Sequence, residues 1–383
     1  MATTQINVPL HDGIAALPWQ SAHGWDAPKQ TLLATDSTRA DDAYRATSQG
    51  TGLLWHGDYH QARQVLAALK RRLDKKSQSF EALAWPDRFH RIRLQRSQSA
   101  RQLGLLLVEI KPGYEINLGR APDRQIAHNA MQIAYGNRLQ NEHFVIPLTE
   151  LTGVLSAYEW HQKGLPIAEL GISIHPRWGV FAPTRHEYIG LALQAELPAI
   201  CQTVVDVGTG TGVLALALAR RGVPKIFATD CNQNALDCAR DNIARADLQN
   251  HIQVLDADFV PEGKFDLLVC NPPWLPGSAS GPLEAAIYDP RNQMLRGFLS
   301  KARSHLTTNG EAWLILSDLA EHLRLRSRTD LLSWIEQAGL VVRNRLDTRA
   351  THPKLQDTKD PLNEARRAET TSLWQLRLAS SWA

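Results

Sequence analysis

The stretch TVVDVGTGTGV, residues 203–213, decides the fold of the second half of this chain. It places an apolar strand, a glycine-rich turn and the start of a helix in direct succession. Glycine has no Cβ, so such a turn can bend sharply and let a ligand approach its backbone. The glycines fall at Gly208, Gly210 and Gly212, with Asp206 two residues before the first. A dinucleotide-binding loop more often reads G-x-G-x-x-G, so this register favours a ligand with a charged amino-acid part over a pyrophosphate.

Short apolar strands alternate with helical segments around and beyond this stretch. The predicted strands cover residues 204–206, 226–230, 252–255, 267–270 and 313–316. The predicted helices cover residues 213–221, 234–246 and 291–306. This alternation specifies a parallel sheet with helices on both faces. Two later strands, 341–345 and 373–378, are predicted to form an antiparallel edge, with a loop between them that can cover a site.

Acidic residues follow three successive strands of the predicted sheet. Asp206 and Asp230 end the first two strands, and Asp258 follows the third. Ligands of open parallel sheets bind at the carboxyl edge, so three acids in these places indicate one binding site. Asp230 is placed to accept hydrogen bonds from two ribose hydroxyls. Asp258 can accept from an adenine amino group, and Phe259 can pack on the adenine ring.

The tetrad Asn271-Pro-Pro-Trp274 follows the fourth strand directly. An amine conjugated to a ring or a carbonyl is a poor nucleophile, because its lone pair is delocalised. The side-chain oxygen of Asn271 and the carbonyl of Pro272 can each accept one N–H and so favour a pyramidal nitrogen. Trp274 would stack on the planar acceptor, and the two prolines stiffen the loop. The tetrad therefore predicts a site that activates a flat amine or amide nitrogen.

These segments, over about residues 170–378, resemble the motifs of class I S-adenosylmethionine-dependent methyltransferases of the "methyltransferase small" group. The resemblance implies an α/β, Rossmann-like, seven-stranded sheet with an antiparallel last strand, S-adenosyl-L-methionine as cofactor and no metal. It places catalysis on Asn271, Pro272, Pro273 and Trp274. It implies cofactor contacts from Phe181, Thr184, Asp206, Gly208, Thr209, Gly210, Gly212, Asp230, Asp258, Phe259 and Asn271. Residues 178–185, WGVFAPTR, resemble the segment that packs over the cofactor, although Phe181 equally suits a core position.

The first half of the chain is predicted to be a separate mixed α/β domain, residues 1–165, followed by the catalytic domain, residues 166–383. Residues 1–48 show no sustained periodicity and are predicted to be irregular. Asp58 is predicted to start an amphipathic helix, Pro112 and Gly113 to form a hairpin turn, and residues 149–163 to form another helix. This half carries no recognisable chemical motif, so the expected role is accessory, in substrate recognition.

Charge and composition limit the remaining classes. Residues 63–101 contain eleven Lys or Arg and three acids, which allows a polyanionic partner and equally suits a solvated helix surface. No stretch is apolar for the roughly 18 residues that a membrane span needs, and residues 1–10 do not resemble a secretory signal, which predicts a cytoplasmic protein. The four cysteines show no metal-binding or disulfide spacing.

Three functions remain open from the sequence. The first is an RNA methyltransferase acting on a base amine, which the basic residues 61–76 and 88–101 favour. The second is a protein glutamine methyltransferase, because residues 284–297 resemble the stretch after NPPY in the release-factor enzymes, although Trp replaces Tyr here. The third is an inactive binding module, disfavoured by the intact Asn271 and glycine loop. A nicotinamide dehydrogenase is a weaker fourth option, disfavoured by the glycine register.

Overall fold

The computed structural model describes residues 4–10, 13–349, 357 and 359–379. The chain folds into two compact units, Met1–Glu159 and Trp160–Ala383. The predicted boundary, between residues 165 and 166, lies slightly further along the chain. The boundary in the structure falls inside a helix, Leu148–Lys163, where no change of composition marks it.

The first unit contains a five-stranded mixed sheet and a separate hairpin. Its strands are β1 (Gln5–Leu10), β2 (Gly13–Pro18), β3 (Thr31–Ala34), β4 (Gly52–Trp55), β5 (Leu106–Lys111), β6 (Glu115–Ile116) and β7 (Phe144–Pro147). Its helices are α1 (Ala40–Ser48), α2 (Tyr59–Lys75), α3 (Asp87–Leu103), α4 (Arg124–Tyr135) and α5 (Leu148–Lys163). Strands β1 and β2 form the hairpin, and β3, β4 and β5 run parallel. Strands β6 and β7 both pair antiparallel with β5.

The prediction that residues 1–48 are irregular is wrong, because they contain β1, β2, β3 and α1. Strand β1 buries Ile6 and Val8, two residues apart, and its pairing with β2 supplies the hydrogen bonds. Helix α1 buries only Ala43 and Thr47. With so few buried positions, these elements carry too little periodicity to be recognised in the sequence.

The predicted helix after Asp58 is confirmed as α2. The Asp58 carboxylate accepts hydrogen bonds from the backbone N–H of His60 and Gln61, which satisfies two donors of the first turn. The buried residues of α2 include Val65 and Leu69, spaced four apart as predicted. The following helix, α3, is not among the predicted elements, although its N-terminal part buries Phe89 and Ile92.

The second unit is built on a seven-stranded sheet. The strands of the whole unit are β8 (Leu165–Ile167), β9 (Ile172–Ile174), β10 (Thr203–Val207), β11 (Lys225–Asp230), β12 (Ile252–Asp256), β13 (Phe265–Cys270), β14 (Leu275–Pro276), β15 (Tyr288–Asp289), β16 (Leu306–Ser317), β17 (Leu340–Arg349) and β18 (Thr370–Leu378). Strands β8 and β9, and β14 and β15, form two small separate sheets. Its helices are α6 (Glu187–Gln194), α7 (Val213–Arg220), α8 (Gln233–Arg245), α9 (Pro282–Ala285), α10 (Gln293–His305), α11 (Leu319–His322), α12 (Arg328–Gln337) and α13 (Asn363–Ala368).

The strand order of the main sheet is β12-β11-β10-β13-β16-β18-β17. The first five strands of this order run parallel, so their carboxyl ends lie at one edge. Strand β18 is antiparallel to both of its neighbours, β16 and β17. The predicted α/β fold is therefore confirmed, including its antiparallel last strand.

Apolar side chains on both faces hold this sheet rigid. Strand β10 contributes Val204 to the cluster that α7 covers, and Val205 and Val207 to the cluster that α10 covers. All these valines are essentially inaccessible to solvent. Each fully buried side chain of this size contributes about 1.5–3 kcal/mol. The loop after β10 is thus anchored by a strand packed on both sides.

Candidate active site

The glycine loop turns sharply between β10 and α7. The φ angles of its three glycines are +70°, +55° and +82°, which only glycine adopts at little cost. The N–H groups of Gly208 and Thr209 both donate to the carbonyl of Thr229, each at 2.9 Å. A Cβ at Gly208 would clash with Cε of Met294, whereas a Cβ at Gly210 would meet nothing within 4 Å. Gly208 therefore serves packing, and Gly210 borders open space.

Asp206 lies beneath this loop. Its Oδ2 accepts hydrogen bonds from Thr209 Oγ1 at 2.6 Å and from the Ala215 N–H at 3.1 Å. Its Oδ1 is buried and has no hydrogen-bond partner among the described residues. Burial raises the pKa of Asp206 to about 6, although these hydrogen bonds act in the opposite direction. Asp206 thus ties the turn to the first turn of α7, and its predicted contact with the cofactor stays a prediction.

The raised pKa of Asp206 predicts a pH dependence of stability. The folded protein holds this proton up to about pH 6, whereas the unfolded chain releases it near the ordinary value of 3.8, so the free energy of unfolding falls as pH rises between them. At about 1.4 kcal/mol per pKa unit, the loss is at most about 3 kcal/mol. We expect the melting temperature of wild type, relative to Asp206→Asn, to fall from about pH 4.5 to about pH 7. A constant difference between the two proteins would contradict the assignment.

Asp230 ends β11 beside the loop. Its Oδ2 accepts from the N–H of Gly210 at 3.1 Å, and its Oδ1 accepts from the N–H of Asn232 at 2.9 Å. Each carboxylate oxygen has a further lone pair, so both oxygens can still accept from a ligand. Burial raises the pKa of Asp230, against the lowering effect of these hydrogen bonds. The geometry suits a pair of adjacent hydroxyls.

Asp258 and Phe259 follow β12, as predicted, but they differ in environment. Asp258 is exposed. Phe259 has a φ of +71°, and its carbonyl accepts from Thr229 Oγ1 at 2.6 Å. Its ring packs on Gly297 of α10 so closely that a Cβ there would clash with the ring. The observed partner of the Phe259 ring is α10, and its contact with adenine remains a prediction.

Residues 178–185 lie near the start of α8. The carbonyl of Trp178 accepts from Asn234 Nδ2 at 3.3 Å. Phe181 is 40% exposed, which argues against a core position for it. Thr184 is also exposed, and its N–H donates to the carbonyl of Ala182 at 2.7 Å. Both predicted cofactor residues are therefore accessible.

The tetrad follows β13 at the same sheet edge as the glycine loop. Val207 and Cys270 are paired in the sheet, so Gly208 and Asn271 each follow one member of that pair. The Asn271 Oδ1 accepts a hydrogen bond from Trp274 Nε1 at 2.8 Å. This oxygen retains one further lone pair for an acceptor amine. The structure thus brings the predicted cofactor loop and the predicted acceptor residues together.

Arg185 contacts the tetrad, and the sequence does not predict this contact. Its guanidinium carbon lies 5.0 Å from the centroid of the Trp274 ring. The same group binds the carboxylates of Glu187 and Glu369, at 2.8 and 3.0 Å. Burial by itself would lower the pKa of Arg185, but the charges of Glu369 and Glu187 hold it above the ordinary value. No local pattern signals this role, because Glu369 lies far away in sequence.

Asp289 is a second residue without a predicted role. It is buried and accepts hydrogen bonds from the N–H groups of Met294 and Leu295, at 2.9 and 3.0 Å. It therefore caps the start of α10, whose Met294 packs on Gly208. Strand β15, which ends at Asp289, also pairs with β14 directly after the tetrad. Asp289 thus links β15, which pairs with β14 directly after the tetrad, to α10, which packs on the glycine loop.

Arg326 links the start of α10 to the end of β16. It is buried, which lowers its pKa to about 10. Its guanidinium donates to Asn292 Oδ1 at 3.0 Å and to the carbonyl of Ser317 at 3.4 Å. Asn292 has a φ of +56°, a conformation that costs energy for a residue other than glycine. Arg326 thus ties Asn292, directly before α10, to Ser317 at the end of β16.

Metal-binding clusters and membrane-spanning helices are both absent from the described residues. These residues contain no group of three or more His, Cys, Asp or Glu side chains that could hold a metal ion. Within them, no helix has the length and apolar character needed to cross a bilayer.

The strand order of the second unit, with the glycine loop after β10 and the NPPW tetrad after β13, is that of the class I methyltransferase fold. Residues 171–333 match the family model described as "Methyltransferase small domain". The resemblance stated from the sequence is therefore confirmed for this part of the chain.

Curated relatives match only a minority of this chain. A tRNA1(Val) (adenine(37)-N6)-methyltransferase of Parabacteroides distasonis is 40% identical over 87 residues, 21% of this chain and 37% of that protein. A putative protein N5-glutamine methyltransferase of Methanocaldococcus jannaschii is 27% identical over 164 residues, 40% of this chain and 80% of that protein. A solved ribosomal protein L11 methylase of Lactobacillus delbrueckii subsp. bulgaricus has a TM-score of 0.38 at 19% identity, covering 56% of this chain and 90% of that one. The chain spans little more than a third of the length of the first curated relatives that it matches.

Proposed function

We propose that this protein is an S-adenosyl-L-methionine-dependent N-methyltransferase that methylates a planar exocyclic amine of an RNA base. One observation carries the proposal: an asparagine with a free lone pair on its side-chain oxygen follows β13, directly beside a glycine loop that follows β10. The proposal places the protein in the cytoplasm, together with its RNA.

The residues present fit this cofactor. The Asp230 carboxylate retains two acceptor positions for ribose hydroxyls, and Gly210 borders open space. The buried Asp206 Oδ1 keeps an unused acceptor next to the loop. Phe181, Thr184, Asp258 and Phe259 are further candidate contacts. When bound, S-adenosylmethionine supplies an electrophilic methyl group on a sulfonium.

The tetrad would act on the acceptor amine. Asn271 Oδ1 and the carbonyl of Pro272 each accept one N–H of a flat NH₂ group, which turns the nitrogen lone pair away from its conjugated system. Trp274 is partly exposed and can stack on a planar base. A strong base is unnecessary, because a nitrogen that becomes cationic loses a proton readily to water.

An RNA acceptor is favoured by the basic helices of the first unit. Helices α2 and α3 contact each other and contain ten of the eleven cations in residues 63–101, the exception being Lys76 directly after α2. Lys70, Arg71 and Lys75 are exposed on α2. Cations on one helix can contact successive phosphates, and the released counterions then drive binding. The first curated relative also acts on a tRNA adenine, by its name.

The identity of the acceptor is tested with radiolabelled cofactor. Purified protein is incubated with S-adenosylmethionine labelled in its methyl group and with an extract of cells that lack this protein. Samples are then treated with nuclease or with protease. We expect nuclease to release the label. Label released only by protease would support the glutamine alternative, and the absence of any transfer would contradict both.

The exposed cations of α2 lead to a separate prediction. A triple variant, Lys70→Ala, Arg71→Ala and Lys75→Ala, is expected to bind a fluorescein-labelled single-stranded RNA about fivefold to tenfold more weakly at about 0.1 M salt. The slope of log affinity against log salt should fall by up to about 2, because each neutralised phosphate of a single strand contributes about 0.7 to the slope. The matched control replaces three exposed lysines elsewhere, Lys29, Lys264 and Lys301. Equal anisotropy titrations for the two triple variants would remove α2 from the RNA-binding surface.

Protein glutamine methylation is the second candidate. The relative from M. jannaschii matches over 80% of its own length, a larger share than for the tRNA enzyme above. A glutamine side chain also presents a flat NH₂ group, so the same tetrad chemistry applies. The first unit, with its five-stranded sheet, differs from the small helical bundle expected for the release-factor enzymes.

A further inference from the structure

The tetrad contains an internal hydrogen bond that stacking alone does not require. Trp274 Nε1 donates to Asn271 Oδ1 at 2.8 Å. Indole N–H is only a donor, whereas the amide of asparagine has a donor end and an acceptor end. The bond therefore selects the orientation in which the Asn271 oxygen points to the indole, and disfavours the flipped amide. A flipped Asn271 would present N–H groups where the acceptor amine needs an oxygen.

The Trp274 ring is itself held from one side. The Arg185 guanidinium carbon lies 5.0 Å from the ring centroid, within the range of a cation–π contact. Its nitrogens also bind both oxygens of Glu369, at 3.0 and 3.1 Å, and Glu187. The Glu369 carboxylate in turn accepts from Ser317 Oγ at 2.5 Å, at the end of β16. The Arg185 side chain, at 16% exposure, is thus fixed by Glu187, at the start of α6, and by Glu369, directly before β18.

We propose that Arg185 and Trp274 form a positioning pair that fixes the Asn271 amide with its oxygen available to the acceptor amine. The proposal rests on the function proposed above and deepens it. Arg185 restrains the indole plane, the indole N–H restrains the amide, and the amide oxygen receives the substrate N–H. In this arrangement the tryptophan does more than stack, because phenylalanine would supply a flat ring without the donor.

Two variants separate orientation from stacking. Trp274→Phe keeps an aromatic ring and loses the N–H, and we expect it to lower kcat about tenfold while the KM for the acceptor changes less than about twofold. Arg185→Lys keeps the charge and loses the planar group, and we expect kcat to fall about threefold to fivefold. Titration calorimetry should give unchanged affinity for S-adenosylmethionine in both variants. Arg345→Lys is the matched control and should leave kcat unchanged. Arg345 lies on the edge strand β17, and its guanidinium carbon is 5.0 Å from the centroid of the Trp374 ring.

A readout that needs no acceptor completes the test. Protein labelled with ¹⁵N-tryptophan gives indole N–H resonances, and Trp274→Phe identifies that of Trp274 by its disappearance. We expect the Trp274 indole proton to exchange with water at least about tenfold faster in Arg185→Lys than in wild type, with no such change in Arg345→Lys.

The outcomes are distinct. Wild-type kcat in Trp274→Phe, with a raised acceptor KM in Trp274→Ala, would mean that Trp274 only stacks and would overturn the proposal. Unchanged exchange of the Trp274 proton in Arg185→Lys would overturn the part played by Arg185. Wild-type protein that methylates no macromolecule would instead refute the proposed function, and the exchange rates would then still decide whether the pair holds the indole.

Discussion

Replacing Asn271 with alanine is expected to lower kcat by about two to three powers of ten, with nearly unchanged affinity for S-adenosylmethionine. The reason is that the alanine side chain offers no oxygen to an acceptor N–H, so the amine keeps its conjugation. Removing one preorganised dipole from an active site typically has an effect of this size. The loop should keep its shape, because Pro272 is buried and Pro273 limits the backbone.

Single-turnover rates with saturating cofactor measure this effect, and calorimetry measures cofactor binding. Asn250→Ala, an exposed asparagine in the loop before β12, is the matched control. Turnover equal to wild type in Asn271→Ala would exclude Asn271 from the acceptor site. Loss of cofactor binding in the same variant would instead make it a cofactor residue.

Replacing Asp230 with alanine is expected to weaken S-adenosylmethionine binding by at least about a hundredfold. Two hydrogen bonds from ribose hydroxyls to a carboxylate would be lost, and hydrogen bonds to charged groups contribute about 1.5–3 kcal/mol each. Stability without cofactor should change little, because burial already penalises the charge of Asp230, as its raised pKa indicates. The loss of that penalty offsets the lost hydrogen bonds from Gly210 and Asn232.

Calorimetric titration with S-adenosylmethionine and the melting temperature of the free protein test both parts. Asp256→Ala is the control, because Asp256 pairs with Asp230 in the sheet and is exposed. If Asp230→Ala bound the cofactor as tightly as the control, the ribose assignment would be rejected.

The fold of the second unit could be predicted because its signals are local. Strands such as β10 and β13 are continuous apolar runs, and each is followed at once by a distinctive loop. Sequence order then fixes which loops meet, since parallel strands bring their carboxyl ends to one edge. The predicted strand 313–316 is the clearest error of extent, because β16 begins at Leu306. Its first part, Leu306–Gly310, is mostly polar and lacks the apolar run that marks the rest of the strand.

The first unit was harder to predict for the opposite reason. Strand β3 has four residues and gains its place by pairing with β4. Helix α3 has seventeen residues but two buried ones, so its sequence indicates charge more clearly than helix. The formation of both elements depends on contacts with residues far away in the sequence, which a short stretch of sequence does not include.

The acceptor site shows the same limit at the level of single side chains. The tetrad could be located from its residue types, and a stacking role for Trp274 follows from its aromatic ring. Its bond to Asn271 depends on the χ angles of both residues, and its contact with Arg185 joins segments on different strands and loops. Such geometry comes from the packed sheet, so the sequence indicates which residues meet but not how they face one another.

The insertion of β18 between β16 and β17 has a consequence for synthesis of the chain. Strand β17 emerges from the ribosome before β18, yet it has no neighbour in the sheet until residues 370–378 arrive. Until then, the backbone N–H and C=O groups along one edge of β16 have no strand to pair with. Strand β17, in which Val341 and Val342 are partly exposed, can then pair with another nascent chain. A polypeptide stalled before residue 370 would therefore be prone to aggregate, although every residue of the glycine loop and the tetrad had already been made.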